Sequence, residues 1–249
     1  MAHDSLDEEI DLTLEKSDEV GHNDIHLEVM GQWKDTLYPD IYGIPESLMT
    51  LLSQTIRIAN ERELLHRSTT VDINVLQDLE KRASLLEQYI LSWKPPFCPQ
   101  PSLIRHTAIE NSEDSDHNTS QFLMRAMHQA LILFYYRRIP NISALILQDT
   151  VRKCLDFLQR SDHARAESVS NDTAILWPGF VAACEALDSN LQRGLLDWLV
   201  TTGHRTSLSS FSAAAKTAQM VWEERDKAKD YTLSWFDVMK HERCPIIAT

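Results

Sequence analysis

Glycine is the residue whose scarcity most constrains this chain, because 249 residues contain only six. Sheet proteins join many short strands through tight turns, and glycine supplies the positive φ that such turns need. The chain has only nine prolines as well, while Leu, Ala, Gln, Arg and Glu are abundant, which favours helices joined by a few long loops. No segment shows the apolar and polar alternation that indicates a strand, and no fixed-period repeat is visible. The sequence therefore predicts an all-α, multi-helix fold.

Two helices with apolar stripes are predicted in the first half of the chain. Pro45 suits the first turn of the first helix, and Thr69 and Thr70 can cap the second, which ends at Pro95-Pro96. The stripe of the first helix consists of Leu48, Leu51, Leu52, Thr55 and Ile58. The stripe of the second consists of Val75, Leu79, Ala83, Leu86, Ile90 and Trp93. Two antiparallel helices are therefore expected here.

The second half begins with a helix from Phe122, FLMRAMHQALILFYYRR, which is apolar on most faces and is predicted to be the core helix. His128 within it is predicted to be a neutral, hydrogen-bonded core or groove histidine. A further helix from Val151 is predicted to carry one apolar face. A helix near Ile175 must begin or kink at Pro178.

The final helices are marked by capping and apolar patterns. Ser189 and Gln192 form a capping-box pattern for one helix. The last helices are predicted to run from about Phe211 through Arg225 and across SWFDVM.

Charge and polarity divide the chain into regions. Residues 1–28 hold ten acidic residues against the single Lys16, which leaves −9 there and −4 for the rest of the chain. We expect an acidic, disordered head over residues 1–30, which could also act as an activation segment because Leu6, Ile10, Leu12 and Leu14 interleave its carboxylates. Residues 31–249 are expected to form a helical domain with polar loops near 110–121 and 160–173. The first of these loops is the favoured boundary within the fold.

Several classes of function are disfavoured by composition. No Lys/Arg cluster is visible, which argues against nucleic-acid binding by the chain alone. No window reaches the roughly 18 apolar residues of a membrane span, and no signal peptide is seen, which predicts an intracellular protein without a membrane segment. The four cysteines, Cys98, Cys154, Cys184 and Cys244, are too widely spaced for a metal knuckle and are predicted to be buried free thiols.

Catalytic motifs are absent from the sequence: there is no GxSxG, GxGxxG, GxxxxGK[ST], HExxH or EF-hand loop. The alternative is an α-helical, magnesium-dependent enzyme resembling terpenoid synthases, with Glu113, Asp114 and Asp116 as its nearest candidate ligands. A solvated polar segment is the favoured interpretation of that run. We therefore predict no catalytic residue, no metal ligand and no cofactor.

The cluster FYYRR, Phe134 to Arg138, ends the core helix. Arginines there complement the helix macrodipole and can pair with carboxylates, whereas a ligand anion site is the alternative. Trp177, Trp198, Trp222 and Trp235 are expected to pack between helices. The candidates for partner or ligand contacts are Tyr136, Arg137, Arg138 and Trp177.

Four ordered blocks resemble a known family. YGIPESLMTLLSQTIRIANE, LILFYYRRIPN, ILWPGFVAACEALD and VWEERD with the later SWFDVM are similar to the regulatory domain of fungal binuclear zinc-cluster transcription factors of the arginine-metabolism-regulator type. The resemblance covers roughly residues 33–243. It implies an α-helical regulatory domain in the nucleus, downstream of a six-cysteine zinc cluster that contacts DNA.

The sequence departs from that pattern because no cysteine precedes Cys98 and no cluster spacing occurs. Zinc and direct DNA binding therefore cannot be assigned to any residue here. The expected function is transcriptional regulation through contacts with other transcription factors, a second copy of the chain or a small-molecule effector. A truncated sequence would explain the missing cluster, and a non-catalytic scaffold of a biosynthetic pathway is a further alternative.

Overall fold

The computed structural model describes residues 43–67, 73–95, 110–166 and 175–242, with residues 110–118 and 241–242 described by backbone alone. Within those ranges the chain forms α-helices and one 3-10 turn, and no strand occurs. The all-α prediction is confirmed. No helix in the described ranges is both long and apolar enough to cross a membrane. The predicted acidic head over residues 1–30 lies outside the described residues.

The described part of the first of two compact units is a helical hairpin. It consists of α1 (Glu46–Arg67) and α2 (Ile73–Ser92). The predicted stripe of α1 is buried throughout, and that of α2 is buried except at Val75, which is 44% exposed. Trp93, just after α2, donates its indole N–H to Ser47 Oγ over 3.0 Å and joins the open end of the hairpin. The predicted caps Thr69 and Thr70 lie outside the described residues.

Within the described residues, the second unit contains six α-helices and one 3-10 turn. They are α3 (Glu110–Arg138), a 3-10 turn (Ala144–Leu147), α4 (Gln148–Ala166), α5 (Leu176–Glu185), α6 (Ser189–Thr206), α7 (Ser209–Ala228) and α8 (Trp235–Glu242). The helix α3 packs on α4 and α5, while α5 also packs on α6 and α7, and α8 packs on α7. The short α5 is therefore central, and every residue from Pro178 to Glu185 is buried.

The loop predicted at Glu110–Gln121 is wrong, because helical backbone begins at Glu110 and continues into the core helix. The run contains neither glycine nor proline, and carboxylates near a helix N-terminus favour the helix dipole. Tertiary contacts also hold it, since Thr119 is 2% exposed and its carbonyl accepts a hydrogen bond from Ser161 Oγ over 3.2 Å. The two compact units divide instead between Trp93 and Lys94.

The loop predicted near residues 160–173 begins later than expected. The helix α4 continues to Ala166, where Ser161, Ala164 and Arg165 are buried, and residues 167–174 lie outside the described ranges. Burial of this last turn outweighs its polar composition, because tertiary packing supplies most of the stability of a helix.

Two predicted helix starts can be compared with their caps. The helix α5 begins at Leu176, two residues before the start predicted at Pro178, and Pro178 lies in its first turn. The capping box predicted from Ser189 and Gln192 is wrong, because Asp188 is the N-cap and its carboxylate accepts from the backbone N–H groups of Asn190 and Leu191. Asp ranks among the best N-cap residues, so it replaces Ser189 in that role.

The predicted helix over Phe211 to Arg225 and the predicted helix across SWFDVM are both present, as α7 and α8. They are separated at Lys229, which adopts a left-handed φ of 53° and ends α7. Ser234 and Asp237 then exchange side-chain to backbone hydrogen bonds at the start of α8. These local caps position the turn over residues 229–234 against the rest of the unit.

Candidate functional site

Three charged side chains meet in the interior of the six-helix unit. Glu185 Oε2 lies 2.9 Å from Arg137 Nε and 2.7 Å from Arg225 Nη2. The side chains are only 1–2% exposed. We call Arg137, Glu185 and Arg225 the arginine–glutamate cluster. Because charges this deeply buried are stable only when they are paired and hydrogen-bonded, the remaining polar atoms of the cluster decide what it can do.

Arg137 ties the end of α3 to the turn before α8. Its Nη2 donates to the backbone oxygens of Thr232 and Leu233 over 2.8 and 3.0 Å, and its Nη1 donates to Ile142 O over 2.5 Å. The Nε–H is 2.9 Å from the carboxylate but is poorly aligned, and no hydrogen bond forms there. Arg137 therefore acts mainly as a backbone clamp and secondarily as a charge partner.

Arg225 extends the same network from α7. Its Nε donates to Leu233 O over 2.7 Å, and its Nη1 donates to Cys184 O over 2.5 Å. Its Nη2 hydrogen-bonds to Glu185. The carbonyl of Leu233 consequently accepts from both arginines, so the turn before α8 is held by side chains from α3 and α7.

The cluster carries one more positive than negative charge when all three side chains are ionised. Glu185 Oε1 receives no hydrogen bond from any described residue. Asp230 supplies nearby negative charge at the surface: hydrogen bonds from Thr232, and then the charges of Arg137 and Arg225, lower the pKa of Asp230. The arrangement can therefore hold a backbone turn and attract negative charge, but every guanidinium nitrogen of the two arginines except Arg137 Nε already donates to a protein oxygen.

Close packing of α5 against α6 positions Glu185. A Cβ built at Gly179 would lie 2.2 Å from the Trp198 ring, so only glycine permits this approach. Trp222 donates its indole N–H to Ala183 O over 2.8 Å and fixes the other side of α5. These contacts set the end of α5, and hence the carboxylate, between the two arginines.

The four predicted contact residues lie along α3 and at the start of α5. Arg137 points inward into the cluster, whereas Arg138 is half-buried with its guanidinium 3.8 Å from the ring centroid of Phe236. Tyr136 is half-buried and its backbone oxygen accepts from Ile142 N. Trp177 is half-buried and packs its ring on Phe134 at 5.8 Å in an edge-to-face arrangement. Two of the four, Arg137 and Arg138, therefore join the region around the turn before α8.

Glu185, Arg225 and Phe236 were not anticipated as site residues. Glu185 follows seven buried residues of an apolar helix, and a carboxylate in such a run indicates a buried ion pair. Arg225 gives no comparable signal, because it lies in the strongly charged stretch EERDK. Helical spacing places charges on a face, but it does not identify the partner from another helix.

The tryptophans and thiols in the described ranges are packed as expected. Trp198 is 6% exposed beside Phe211, and Trp235 packs on Phe180. Cys154 and Cys184 are buried free thiols, as predicted, and burial raises the pKa of both. Cys98 and Cys244 lie outside the described residues.

Other predicted chemical groups are less informative. The side chains of Glu113, Asp114 and Asp116 lie outside those described, although their backbone is part of α3. Among the described residues, no three His, Cys, Asp or Glu side chains are grouped to hold a metal ion. His128 is half-buried in α3.

Comparison with known proteins gives a family match. The family model described as "Fungal specific transcription factor domain" matches residues 3–247. The chain is also 24% identical over 202 residues to "Arginine metabolism regulation protein II" of Saccharomyces cerevisiae (strain ATCC 204508 / S288c), which covers 80% of this chain and 22% of that relative. The chain therefore spans about a fifth of the length of this relative. No solved structure matches the chain.

Proposed function

The chain belongs to the fungal specific transcription factor domain family, and from this membership we propose that it regulates transcription in the nucleus through protein–protein or ligand-responsive contacts. The observation that carries the proposal is the match over residues 3–247, which includes nearly the whole chain. The similarity to an arginine metabolism regulator supports a regulatory role, while the pathway and target genes stay open. We propose no catalytic activity.

The arrangement of the family-like blocks supports this function. Arg137 comes from LILFYYRRIPN, Glu185 from ILWPGFVAACEALD and Arg225 from VWEERD. The turn that both arginines clamp leads into SWFDVM. Blocks that are far apart in the chain thus meet at one charged junction, which favours a structural role for that junction in a regulatory domain.

We propose that the described helices do not themselves contact DNA. Duplex binding needs clustered Lys and Arg that displace counterions. Arg137 and Arg225 are buried and hydrogen-bonded to backbone oxygens, so they do not present such a surface. We therefore expect the purified 249-residue chain to show no sequence-specific duplex binding at moderate salt.

A tethering experiment tests the proposal. The whole chain is fused to a heterologous DNA-binding domain, and transcription of a reporter gene with the matching DNA site is measured in yeast. We expect transcription to change several-fold in either direction relative to the DNA-binding domain alone, and a tagged chain to lie in the nucleus by microscopy. A folded, nuclear fusion that leaves transcription unchanged would contradict the proposal.

A further inference from the structure

An open groove of about 530 Å³ lies between α6 and α7 of the six-helix unit. Its apolar wall includes Leu196 and Val200 from α6 and Leu208 just before α7. Val200 is 47% exposed and Leu208 is 50% exposed. Exposed aliphatic side chains that line one groove indicate an interaction surface more strongly than scattered ones do.

The spacing of the lining residues fits a helical ligand. On α6 the lining positions Leu196, Val200 and Gly203 follow each other at four and three residues. On α7 the lining positions Ser212, Ala215 and Gln219 follow each other at three and four residues. These rows run along both helices for about 10 Å or more at 1.5 Å per residue, which corresponds to roughly two turns. A helix that lies in such a groove uses anchors with the same spacing.

The form of the groove also favours a helix over a small molecule. Sites for small ligands enclose most of the ligand surface. Here the lining residues Val200, Leu208 and Lys216 are all solvent-exposed, so the groove is open to solvent.

The charged residues that line the groove favour an acidic partner. The lining contains Lys216 and His204, and no carboxylate. Lys216 is exposed and forms no ion pair within the part of the chain that the structure describes. A carboxylate on a docked helix would pair with Lys216 while its apolar residues covered Leu196 and Val200.

We propose that this groove binds an acidic amphipathic helix of a partner protein. The proposal rests on the proposed function, because it specifies one of the protein contacts through which the chain would regulate transcription. The Leu196 and Val200 side chains supply the apolar seat, and Lys216 supplies the charge that selects an acidic partner over a basic one.

The binding test uses two synthetic helical peptides and the whole chain. One fluorescein-labelled peptide carries leucines at i, i+3, i+4 and i+7 with glutamates on both flanks, and its twin carries lysines in place of the glutamates. Fluorescence anisotropy gives each Kd at moderate and high salt. We expect the acidic peptide to bind at least tenfold more tightly than its twin, with a difference that shrinks as salt rises.

Matched variants locate the binding surface. Lys216→Glu and Val200→Gln change the groove, whereas Lys81→Glu and Leu91→Gln change exposed residues of α2. We expect each groove variant to weaken binding of the acidic peptide about threefold to tenfold, and the α2 variants to leave it unchanged. Circular dichroism melting of each variant separates loss of binding from loss of folding.

Three outcomes would overturn the inference. Equal affinity for the two peptides would show that charge does not select the partner. Equal effects of Lys216→Glu and Lys81→Glu on peptide affinity would show that the peptide does not bind in the groove. Self-association of the wild-type chain in sedimentation that Val200→Gln abolishes would assign the groove to a second copy instead.

Tethered transcription distinguishes failure of this inference from failure of the proposed function. If the wild-type fusion regulates the reporter and the groove variants regulate it equally, the groove is not the contact surface although the function stands. If the wild-type fusion is inactive, the proposed function fails, and peptide affinities still report on the groove. If the groove variants selectively reduce regulation, both proposals are supported.

Discussion

In the α1–α2 hairpin, charged side chains meet at the surface, whereas in the six-helix unit the arginine–glutamate cluster is sealed from water. Arg82 Nη2 lies 2.6 Å from Glu61 Oε2, yet these side chains are 22% and 29% exposed. Arg137, Glu185 and Arg225 have comparable distances but are 1–2% exposed. Distance alone therefore does not rank these interactions, because solvent screens the first pair and is excluded from the second.

The difference also concerns what the charges hold. In the hairpin, Arg82 pairs with Glu61 across the two helices and with Asp78 along one. In the six-helix unit, the two buried arginines hold backbone oxygens of the turn before α8 as well as Glu185. Loss of a surface pair leaves both partners hydrated, whereas loss of Glu185 leaves two buried guanidinium groups without a counter-charge.

The largest expected effect is therefore that of Glu185→Gln. This change keeps the side-chain size but removes the negative charge, and we expect it to lower the free energy of unfolding by about 3–5 kcal/mol. Glu61→Gln in the hairpin is the matched control, with an expected cost below about 1 kcal/mol. Urea unfolding followed by circular dichroism measures both. Equal losses of unfolding free energy in the two variants would contradict the difference between surface and buried charges in the two units.

The next effect concerns packing around the cluster. Gly179→Ala places a Cβ 2.2 Å from an atom of the Trp198 ring, and we expect it to cost about 1–3 kcal/mol through overpacking. Gly194→Ala is the control, because its Cβ would meet the flexible end of Leu155 at 2.9 Å while Ala favours the helix by up to about 1 kcal/mol. Thermal melting of the two variants compares them. If Gly179→Ala lowers the melting temperature no more than Gly194→Ala does, the close contact between Gly179 and the Trp198 ring does not position α5.

A smaller difference between the two units is expected in how the free energy of unfolding depends on salt. The stability that Glu61 contributes should decrease as salt is raised to about 1 M, where the Debye length is about 3 Å. The cost of Glu185→Gln should change little, because its partners are buried. Urea unfolding of the wild type and both variants at low and high salt measures the two dependences. A salt-insensitive Glu61 effect would contradict the assignment to surface electrostatics.

The smallest effect is expected at Asp230, an exposed residue whose carboxylate is influenced by the charges of the arginine–glutamate cluster. Hydrogen bonds from Thr232, and then the positive charges of Arg137 and Arg225, lower the pKa of Asp230, so its negative charge stabilises the folded chain. That contribution is fully present above the pKa of the unfolded chain, and it is lost as pH falls through the lower folded pKa. Asp230→Asn keeps an oxygen that can accept from Thr232 but removes the negative charge, so it should be less stable than wild type at neutral pH.

Unfolding curves from pH 7 down to pH 2 measure this dependence. We expect the difference between Asp230→Asn and wild type to vanish at the acidic end. Asp226→Asn, which changes an exposed acidic residue of α7, is the control and should differ little from wild type at each of these pH values. A difference that is independent of pH would indicate a structural effect rather than a charge effect.

Helical periodicity and glycine scarcity were sufficient to predict the all-α fold and most of the buried stripes. Leu48 through Ile58 and Leu79 through Ile90 repeat every three or four residues, and that spacing is a property of the chain itself. Pro178 similarly marked the first turn of α5, because proline lacks the N–H that a helix interior requires. The resemblance of the ordered blocks also indicated the family that the match over residues 3–247 shows.

Tertiary structure decided the features that depend on neighbours from other helices. The Glu110–Gln121 run has the composition of a loop, yet it is helical and Thr119 is buried against α4. The pairing of Arg137, Glu185 and Arg225 joins residues 40 or more positions apart, so no local pattern predicts it. Propensity and periodicity act over a few residues, whereas burial depends on which surfaces meet. The sequence by itself therefore determined which segments are helical and apolar, and only the packing of those helices determined which charges are sealed inside.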